Sequence, residues 1–198
     1  MPRKTRLDRP AVVAAAVKLI QDEGLDALTM NRLARELGIR PPSLYNHIDS
    51  LAGLYRELAL LNAHHIKDVL ANAAIGKSGP EALDAVAQAY RSYIKANPAL
   101  YQASVQPRNT NTPPDAELAA AEAEPVQVAL AVVASFGLSG DDALHAVRGL
   151  RSLVHGFATL EVSGGFGLPL DIDESFRRLV EVFIDGLGEI ARELRNQP

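Results

Sequence analysis

Hydrophobic residues recur every three or four positions along almost the whole chain, which is the spacing of amphipathic helices. Alanine and leucine are abundant, and runs of β-branched residues are short. This pattern predicts an all-α protein of about nine helices. The predicted helices cover 10–23, a short pair within 29–48, then about 50–73, 80–96, 98–104, 115–136 and 139–162. A last helix is expected to be capped by Asp171 or Asp173 and to end near residue 195.

The segment 29–48 is the most informative part of the chain, because it predicts two short helices joined by a tight turn. Thr29 is a good N-cap for the first helix. Gly38 is placed to take the left-handed backbone conformation that ends a helix. The apolar stripe of this first helix, at helical spacing, is Leu33, Ala34 and Leu37.

The second short helix opens on a pair of prolines. Arg40 is expected to be extended because it precedes a proline, and since Pro41 also precedes one, the helix is expected to begin at Pro42. Proline is tolerated there because the first amides of a helix have no intrahelical partner. Two short helices around a glycine turn make a helix-turn-helix, whose second helix enters the major groove of DNA.

Residues 9–60 resemble the N-terminal domain of TetR-family transcriptional regulators. That family's pattern is a threonine-led helix, Leu-Ala-x-x-Leu-Gly, and a recognition helix that ends in Leu-Tyr-x-His. The resemblance implies a three-helix DNA-binding domain followed by a helical domain for ligand binding and dimerisation. We expect the boundary inside the long fourth helix, with domains 1–50 and 51–198. The matching residues are Thr29, Leu33, Ala34, Leu37, Gly38, Leu44, Tyr45 and His47.

The candidate DNA contacts lie on or beside the recognition helix. Arginine pairs bidentately with guanine and asparagine with adenine, so Arg40 and Asn46 are candidates for base reading. In the resembled family, the positions of Tyr45 and His47 commonly contact phosphates, and the position of Thr29 often does. The alternatives are a core position for Tyr45 and a plain surface position for His47. The full candidate set is Thr29, Arg40, Pro42, Ser43, Tyr45, Asn46 and His47.

The chain departs from the family's pattern near this helix. Leu51 stands where a lysine is common, Asp49 where a basic residue is frequent, and Arg40 where a small polar residue is usual. We therefore expect weak phosphate attraction at this corner. The N-terminal arm could compensate by following the DNA backbone or entering the minor groove, or it could be a disordered charged tail. Its basic residues are Arg3, Lys4, Arg6 and Arg9.

Charge is distributed unevenly along the chain, although the net charge is −4. Residues 1–56 carry nine Lys/Arg and six Asp/Glu, whereas residues 57–198 carry eleven and eighteen. A basic N-terminal part on an acidic body fits a protein that presents one end to phosphate. Chance is the alternative explanation, because the positive excess is modest.

The last two helices carry apolar residues on more than one face, so we expect a partner for them outside the subunit as well as inside it. In the resembled family, these helices pair with their two-fold mates as a four-helix bundle. One short recognition helix also reads too few bases alone. We expect a homodimer, and the alternative is a monomer that buries these faces internally. The candidate interface residues are Val154, Ala158, Phe176, Phe183 and Leu187.

The resemblance also implies a small-molecule effector pocket among the fourth to eighth helices, mostly apolar with few polar groups. The run 154–156, Val-His-Gly, is similar to the Trp-His-Gly of one TetR subgroup, with valine in place of tryptophan. The polar stripe of the eighth helix could line the pocket or lie at the dimer seam, and each candidate could instead be structural. The candidate pocket residues are His65, Tyr90, Tyr93, Tyr101, Phe136, Arg151 and His155.

Composition narrows the class of protein. A hydrophobic content of 47% over 198 residues suits a globular protein with a sizeable core. The absence of cysteine excludes a disulfide framework and a thiolate metal site, and we expect no metal or other cofactor. The apolar runs are short, and the basic start leads into an amphipathic helix rather than a signal peptide. These features favour a cytoplasmic protein without membrane contact.

The expected function is a DNA-binding transcriptional regulator, a repressor that a small molecule releases from a palindromic double-stranded operator. Two alternatives stay open. One is a helical ligand-binding or sequestering protein with a weakened DNA-binding head. The other is a small helical enzyme, although the sequence has no phosphate-binding glycine loop and no Gly-x-Ser-x-Gly elbow.

Overall fold

The computed structural model describes residues 7–106 and 114–196. Over these residues all regular secondary structure is helical, with nine α-helices and one short 3-10 turn at Leu25–Ala27, so the predicted all-α class is confirmed. The basic residues Arg3, Lys4 and Arg6 of the predicted arm lie outside the described residues. The helices are α1 (Arg9–Glu23), α2 (Met30–Glu36), α3 (Pro41–Leu44), α4 (Leu51–Ala74), α5 (Gly79–Ala96), α6 (Pro98–Ser104), α7 (Ala116–Ala134), α8 (Gly140–Val162) and α9 (Ile172–Arg195).

Side-chain caps explain where the helices begin. Asp8 accepts a hydrogen bond from the backbone N–H three residues later (2.9 Å), and Asp171 does the same at the start of α9 (2.8 Å). Ser139 occupies the N-cap position of α8, but its side chain makes no capping hydrogen bond. Helix α7 continues through Pro125, so the proline does not split it.

Contacts between residues divide the chain into two compact units. Unit 1 contains residues 1–62 and 97–119, and unit 2 contains residues 63–96 and 120–198. The chain passes from unit 1 to unit 2 inside α4, the helix that was expected to contain the domain boundary, and the boundary at residue 50 stays a prediction. Unit 1 includes the start of α4 and also α6, a helix that follows α5 in the sequence. The spacing of hydrophobic residues shows which face of α6 is buried, but it does not show against which other helices that face packs.

The core of unit 1 explains why α6 belongs to it. Leu100 and Ala103 of α6 are buried in the same hydrophobic cluster as the apolar faces of α1, α2 and α4. The Asn62 side chain donates a hydrogen bond to the Ser104 hydroxyl (2.8 Å) and joins α4 to α6. The completely buried members of the cluster are Val12, Ala16, Leu33, Ala34, Leu44, Leu54 and Leu58.

Unit 1 also contains an ionic clamp between α4 and the start of α7. The Arg56 guanidinium forms ion pairs with Asp115 and Glu117 and a third with Glu57 (3.1 Å). The hydrogen bond from Arg56 lowers the pKa of Asp115 to about 2. Asp115 also accepts a hydrogen bond from the backbone N–H of Leu118 (3.1 Å), which caps α7. One carboxylate thus both starts α7 and holds it to α4.

Unit 2 is organised around a buried arginine on α5. Arg91 donates two hydrogen bonds to Glu161 of α8 (2.7 and 2.8 Å) and pairs with Asp173 of α9 (2.7 Å). Its guanidinium lies 5.4 Å from the ring centroid of Phe157 and 4.8 Å from that of Phe176. Arg91 therefore connects α5, α8 and α9 through one planar group.

The carboxylate of Glu161 depends on that arginine. Burial on its own would raise the pKa of Glu161, but hydrogen bonds from Arg91 and Lys95 outweigh burial and hold the pKa below its ordinary value. Its side chain is only 11% exposed. Charge on Glu161 is thus tolerated only because cations surround it.

Helices α8 and α9 approach each other closely at a glycine. A Cβ placed on Gly149 would lie 3.0 Å from a ring carbon of Phe183, which is closer than a Cβ normally comes to another atom. The absence of a side chain at Gly149 therefore leaves the space that the Phe183 ring occupies. No helix in the described ranges combines the length and apolar character needed to cross a membrane.

Candidate nucleic-acid interface

The turn between α2 and α3 has the geometry that the sequence predicts. The Thr29 hydroxyl accepts a hydrogen bond from the backbone N–H of Arg32 (3.1 Å) and caps α2. Gly38 has a φ of +66°, so the predicted left-handed glycine is confirmed. The backbone N–H of Ile39 then donates to the carbonyl of Ala34 (3.0 Å), which closes the end of α2.

Helix α3 begins one residue earlier than predicted. Arg40 is extended, with φ −80° and ψ 144°, but Pro41 is already helical. The φ of a proline suits the first helical position, and a following proline disfavours helix without forbidding it. The regular helix ends at Leu44, and a hydrogen-bonded turn continues it, with the N–H of His47 donating to the Leu44 carbonyl (2.9 Å).

The candidate contact residues are presented at the surface of unit 1. Leu44 is completely buried and anchors α3. Tyr45 is 49% exposed, so a core position for it is wrong, and His47 is half-buried. The remaining candidates are all exposed; they are Thr29, Arg40, Pro42, Ser43 and Asn46.

The corner beside α3 offers little positive charge. Asp49 is exposed, and Leu51 packs against the hydrophobic core of unit 1. Leu51 therefore contributes to folding at a position where a cation would have contributed to phosphate binding. Arg9, the one described member of the basic arm, is paired with Glu57 (3.4 Å).

Two family models match the chain. The model described as "Bacterial regulatory proteins, tetR family" matches residues 12–58, and the one described as "Tetracyclin repressor-like, C-terminal domain" matches residues 83–183, just over half of the chain. The chain belongs to the TetR family. The family consists of transcriptional regulators and not of enzymes, so the predicted resemblance is confirmed, while the Trp-His-Gly subgroup stays a prediction.

Similar proteins support the same assignment. An HTH-type transcriptional regulator of Mycobacterium tuberculosis is 35% identical over 179 residues, which cover 90% of this chain and 80% of that protein. The solved structure of BioQ with its natural double-stranded DNA operator is 27% identical, with a TM-score of 0.68, over 92% of this chain and 99% of that one. A TetR of Acinetobacter baumannii in complex with minocycline shares the fold, with 21% identity, a TM-score of 0.70, and coverage of 94% and 99%.

The residues predicted for the effector pocket of this TetR-family chain are divided between the two units, and the pocket stays a prediction. Tyr101 is buried in unit 1, whereas the other six lie in unit 2. Tyr93 and His65 are neighbours, with ring centroids 6.4 Å apart in an edge-on arrangement. Burial raises the pKa of Tyr93. Tyr90 is buried beside it on α5, Phe136 and His155 are half-buried, and His65 and Arg151 are exposed.

Unit 2 contains a different concave site that the sequence reasoning missed. An open cleft of about 870 Å³ lies between the end of α5 and the start of α9. It includes none of the predicted pocket residues, and its charged lining contrasts with the mostly apolar pocket expected. The charged lining residues are Arg91, Lys95, Asp171, Asp173, Glu174 and Arg177. No periodic pattern identifies such a site, because it joins charges from helices that are distant in sequence.

The predicted dimer residues are mostly internal. Val154, Ala158 and Phe176 are fully buried within the single chain, and Leu187 is 4% exposed. These four therefore offer little or no surface to a second subunit, and their place in a dimer seam stays a prediction. Phe183 is half-buried against Gly149. The large apolar residues that α8, α9 and their connecting loop do expose are Leu144, Leu160, Val162, Phe166, Leu168, Leu170, Leu179, Val182 and Ile190.

Proposed function

We propose that this chain is a cytoplasmic, homodimeric DNA-binding repressor that a small molecule releases from a palindromic operator. The observation that carries the proposal is the exposed recognition segment 40–47, held in place by the buried Leu44. The similarity to BioQ, whose structure contains its DNA operator, supports it. Two recognition helices related by a two-fold axis would occupy successive major grooves about one helical turn apart.

The candidate side chains on and beside α3 fall into two groups, one suited to contacts with bases and the other to contacts with phosphates. Arg40 and Asn46 carry the donor groups that pair with guanine and adenine edges. Tyr45, His47 and Thr29 carry hydroxyl or imidazole groups suited to phosphate oxygens. Phosphate contacts fix the register of the head on the duplex, and base contacts choose the sequence.

The exposed face of α9 is the part of the chain that best fits a dimer interface. Leu179, Val182 and Ile190 are exposed, and Gly186 completes the same stripe at steps of three and four. A Cβ on Gly186 would meet nothing within 4 Å in the single chain, so a partner helix could approach it closely. The apolar stripe therefore replaces the buried residues as the proposed seam.

Changing Val182 to glutamate is expected to weaken dimerisation at least about 100-fold, because each dimer would bury two unpaired carboxylates. Val182 is 71% exposed in the single chain, and Ile75, in the same unit, is 70% exposed. Ile75→Glu is therefore a matched control that should leave the dimer intact. Sedimentation velocity over a concentration series measures both variants. A dimeric Val182→Glu together with a monomeric Ile75→Glu would place the seam elsewhere.

An effector would act on this dimer by favouring a conformation with low affinity for the operator. The structural similarity to a TetR that holds minocycline supports a small-molecule ligand, and the buried Tyr90 and Tyr93 stay its proposed aromatic contacts in unit 2. Binding would shift α4, which has residues in both units. The coupling is reciprocal, so the operator must lower effector affinity by the same factor.

Operator binding is expected to fall at least about 100-fold between about 50 and 200 mM salt, the loss that follows when a dimer neutralises about four phosphates. The measurement is a binding isotherm at several salt concentrations, with DNA from the promoter region of the chain's own gene. Scrambled DNA of equal length is the control. Ligand binding without salt-dependent DNA binding would instead favour the sequestering protein, which the exposed Asp49 suggests.

A further inference from the structure

The positive charges of the DNA-binding head are mostly neutralised within the protein. The head here means the described residues 7–62 of unit 1. It contains six basic residues, and four of them form ion pairs with carboxylates. The pairs are Arg9 with Glu57, Lys18 with Asp22 and Glu36, Arg32 with Glu23 and Glu36, and Arg56 with Glu57, Asp115 and Glu117.

The other two basic residues are Arg35 and Arg40. Both are exposed, and neither forms an ion pair or a side-chain hydrogen bond with any residue that the structure describes. The influence of Arg35 on Glu23 is minor, since the pKa of Glu23 is lowered chiefly by the hydrogen bond from Arg32. A phosphate can bind these two guanidinium groups without displacing a carboxylate from either of them.

The position of Arg35 on α2 separates it from the internal ion pairs. Met30, Leu33 and Ala34 form the buried face of α2. Arg32 and Glu36 lie on the flank toward α1, where Arg32 pairs with Glu23 at the end of that helix. Asn31 and Arg35, four residues apart, share the opposite flank and are both exposed. In a helix-turn-helix, the first helix crosses the DNA backbone.

We propose that Arg35 binds a backbone phosphate of the operator and that, together with Arg40, it supplies the positive charge that Asp49 and Leu51 do not. The inference rests on the proposed DNA-binding function and adds a residue to it. Arg35 contributes to the affinity and the register of the head on DNA, whereas Arg40 is the group that can reach a base edge. The guanidinium makes charge-assisted, bidentate hydrogen bonds to phosphate oxygens.

The test compares two variants that each remove one charge from the head. Arg35→Gln is expected to make the slope of log K against log salt less steep by about 1.8 per dimer, at about 0.9 for each of two phosphates. It should weaken binding equally across operator variants with single base changes. Lys18→Gln, which removes a charge that is already paired on α1, should leave the slope unchanged. Arg35→Lys keeps the charge and should restore most of the slope.

Each outcome has a separate meaning. If the wild-type dimer binds DNA steeply with salt and Arg35→Gln has the same slope, the phosphate contact is overturned while the proposed function stands. If Arg35→Gln changes preference at one base pair, Arg35 reads a base and the proposal is overturned. Arg40→Ala should relax preference for one base pair. If the wild type shows no salt-dependent binding at all, the proposed function itself fails.

Discussion

Replacing Arg91 by alanine is expected to lower the free energy of unfolding by about 3–5 kcal/mol, the cost of removing one member of a buried ion pair. Arg91 is only 5% exposed, and it donates two hydrogen bonds to Glu161. The variant leaves that carboxylate with Lys95 alone and opens a gap beside the rings of Phe157 and Phe176. Urea denaturation monitored by circular dichroism measures the loss.

The pH dependence of this loss identifies its cause. In the wild type, the lowered pKa of Glu161 means that its stabilising contribution is present above the ordinary glutamate pKa and is lost as pH falls through the lowered one. Without Arg91, burial is expected to raise the pKa of Glu161, so the difference between the proteins should shrink as pH falls from above the ordinary glutamate pKa to below it. A difference that stays constant with pH would show that lost packing dominates.

Lys95→Ala is the matched control for the arginine. Lys95 pairs with the same carboxylate (2.6 Å), but its side chain is 42% exposed. Its removal should cost less than about 1 kcal/mol, because water screens an exposed pair. Equal losses in the two variants would contradict the central role of Arg91.

Replacing Leu100 by alanine is expected to destabilise unit 1 by about 2–5 kcal/mol, the range for emptying a buried leucine site. Leu100 is 1% exposed and lies in the same cluster as the buried residues of α1 and α2. The variant should therefore weaken DNA binding, although no residue of α6 is among the candidate contacts. Hydrogen exchange of the α1 amides measures the effect, and these amides should lose protection.

Leu168→Ala is the control, because Leu168 is 77% exposed and its truncation should change stability by no more than about 0.5 kcal/mol. Loss of protection confined to the amides of unit 2 in Leu100→Ala would contradict the assignment of α6 to the core of unit 1.

Local sequence signals were sufficient for the secondary structure and for the recognition segment. Thr29, Gly38 and Arg40 each adopt the conformation that their own chemistry dictates, since a cap, a left-handed glycine and a residue before proline act over a few positions. The helix boundaries followed for the same reason. Pro41 was the exception, because the restriction before a second proline is only a preference.

The packing of helices that are distant in the sequence could not be predicted from such local signals. The apolar period of α8 and α9 showed that Val154 and Phe176 are buried, but not that their own subunit covers them. Arg91 gave no signal, because an arginine on an amphipathic helix normally lies at the surface. Its burial depends on Glu161 and Asp173, which are distant in the sequence and meet it only in the folded chain.

The position of Leu100 also sets an order of events during synthesis. The residues that would touch DNA leave the ribosome first, but their hydrophobic core is complete only when α6 has emerged as well. At translation rates of about 5–20 residues per second, the interval between the end of the head at residue 62 and the end of α6 is roughly 2–8 s. A nascent head spends that interval with part of its core open to solvent. Chains that terminate before α6 lack Leu100, which completes the hydrophobic core of the head. We expect such incomplete chains to bind the operator more weakly than the full chain.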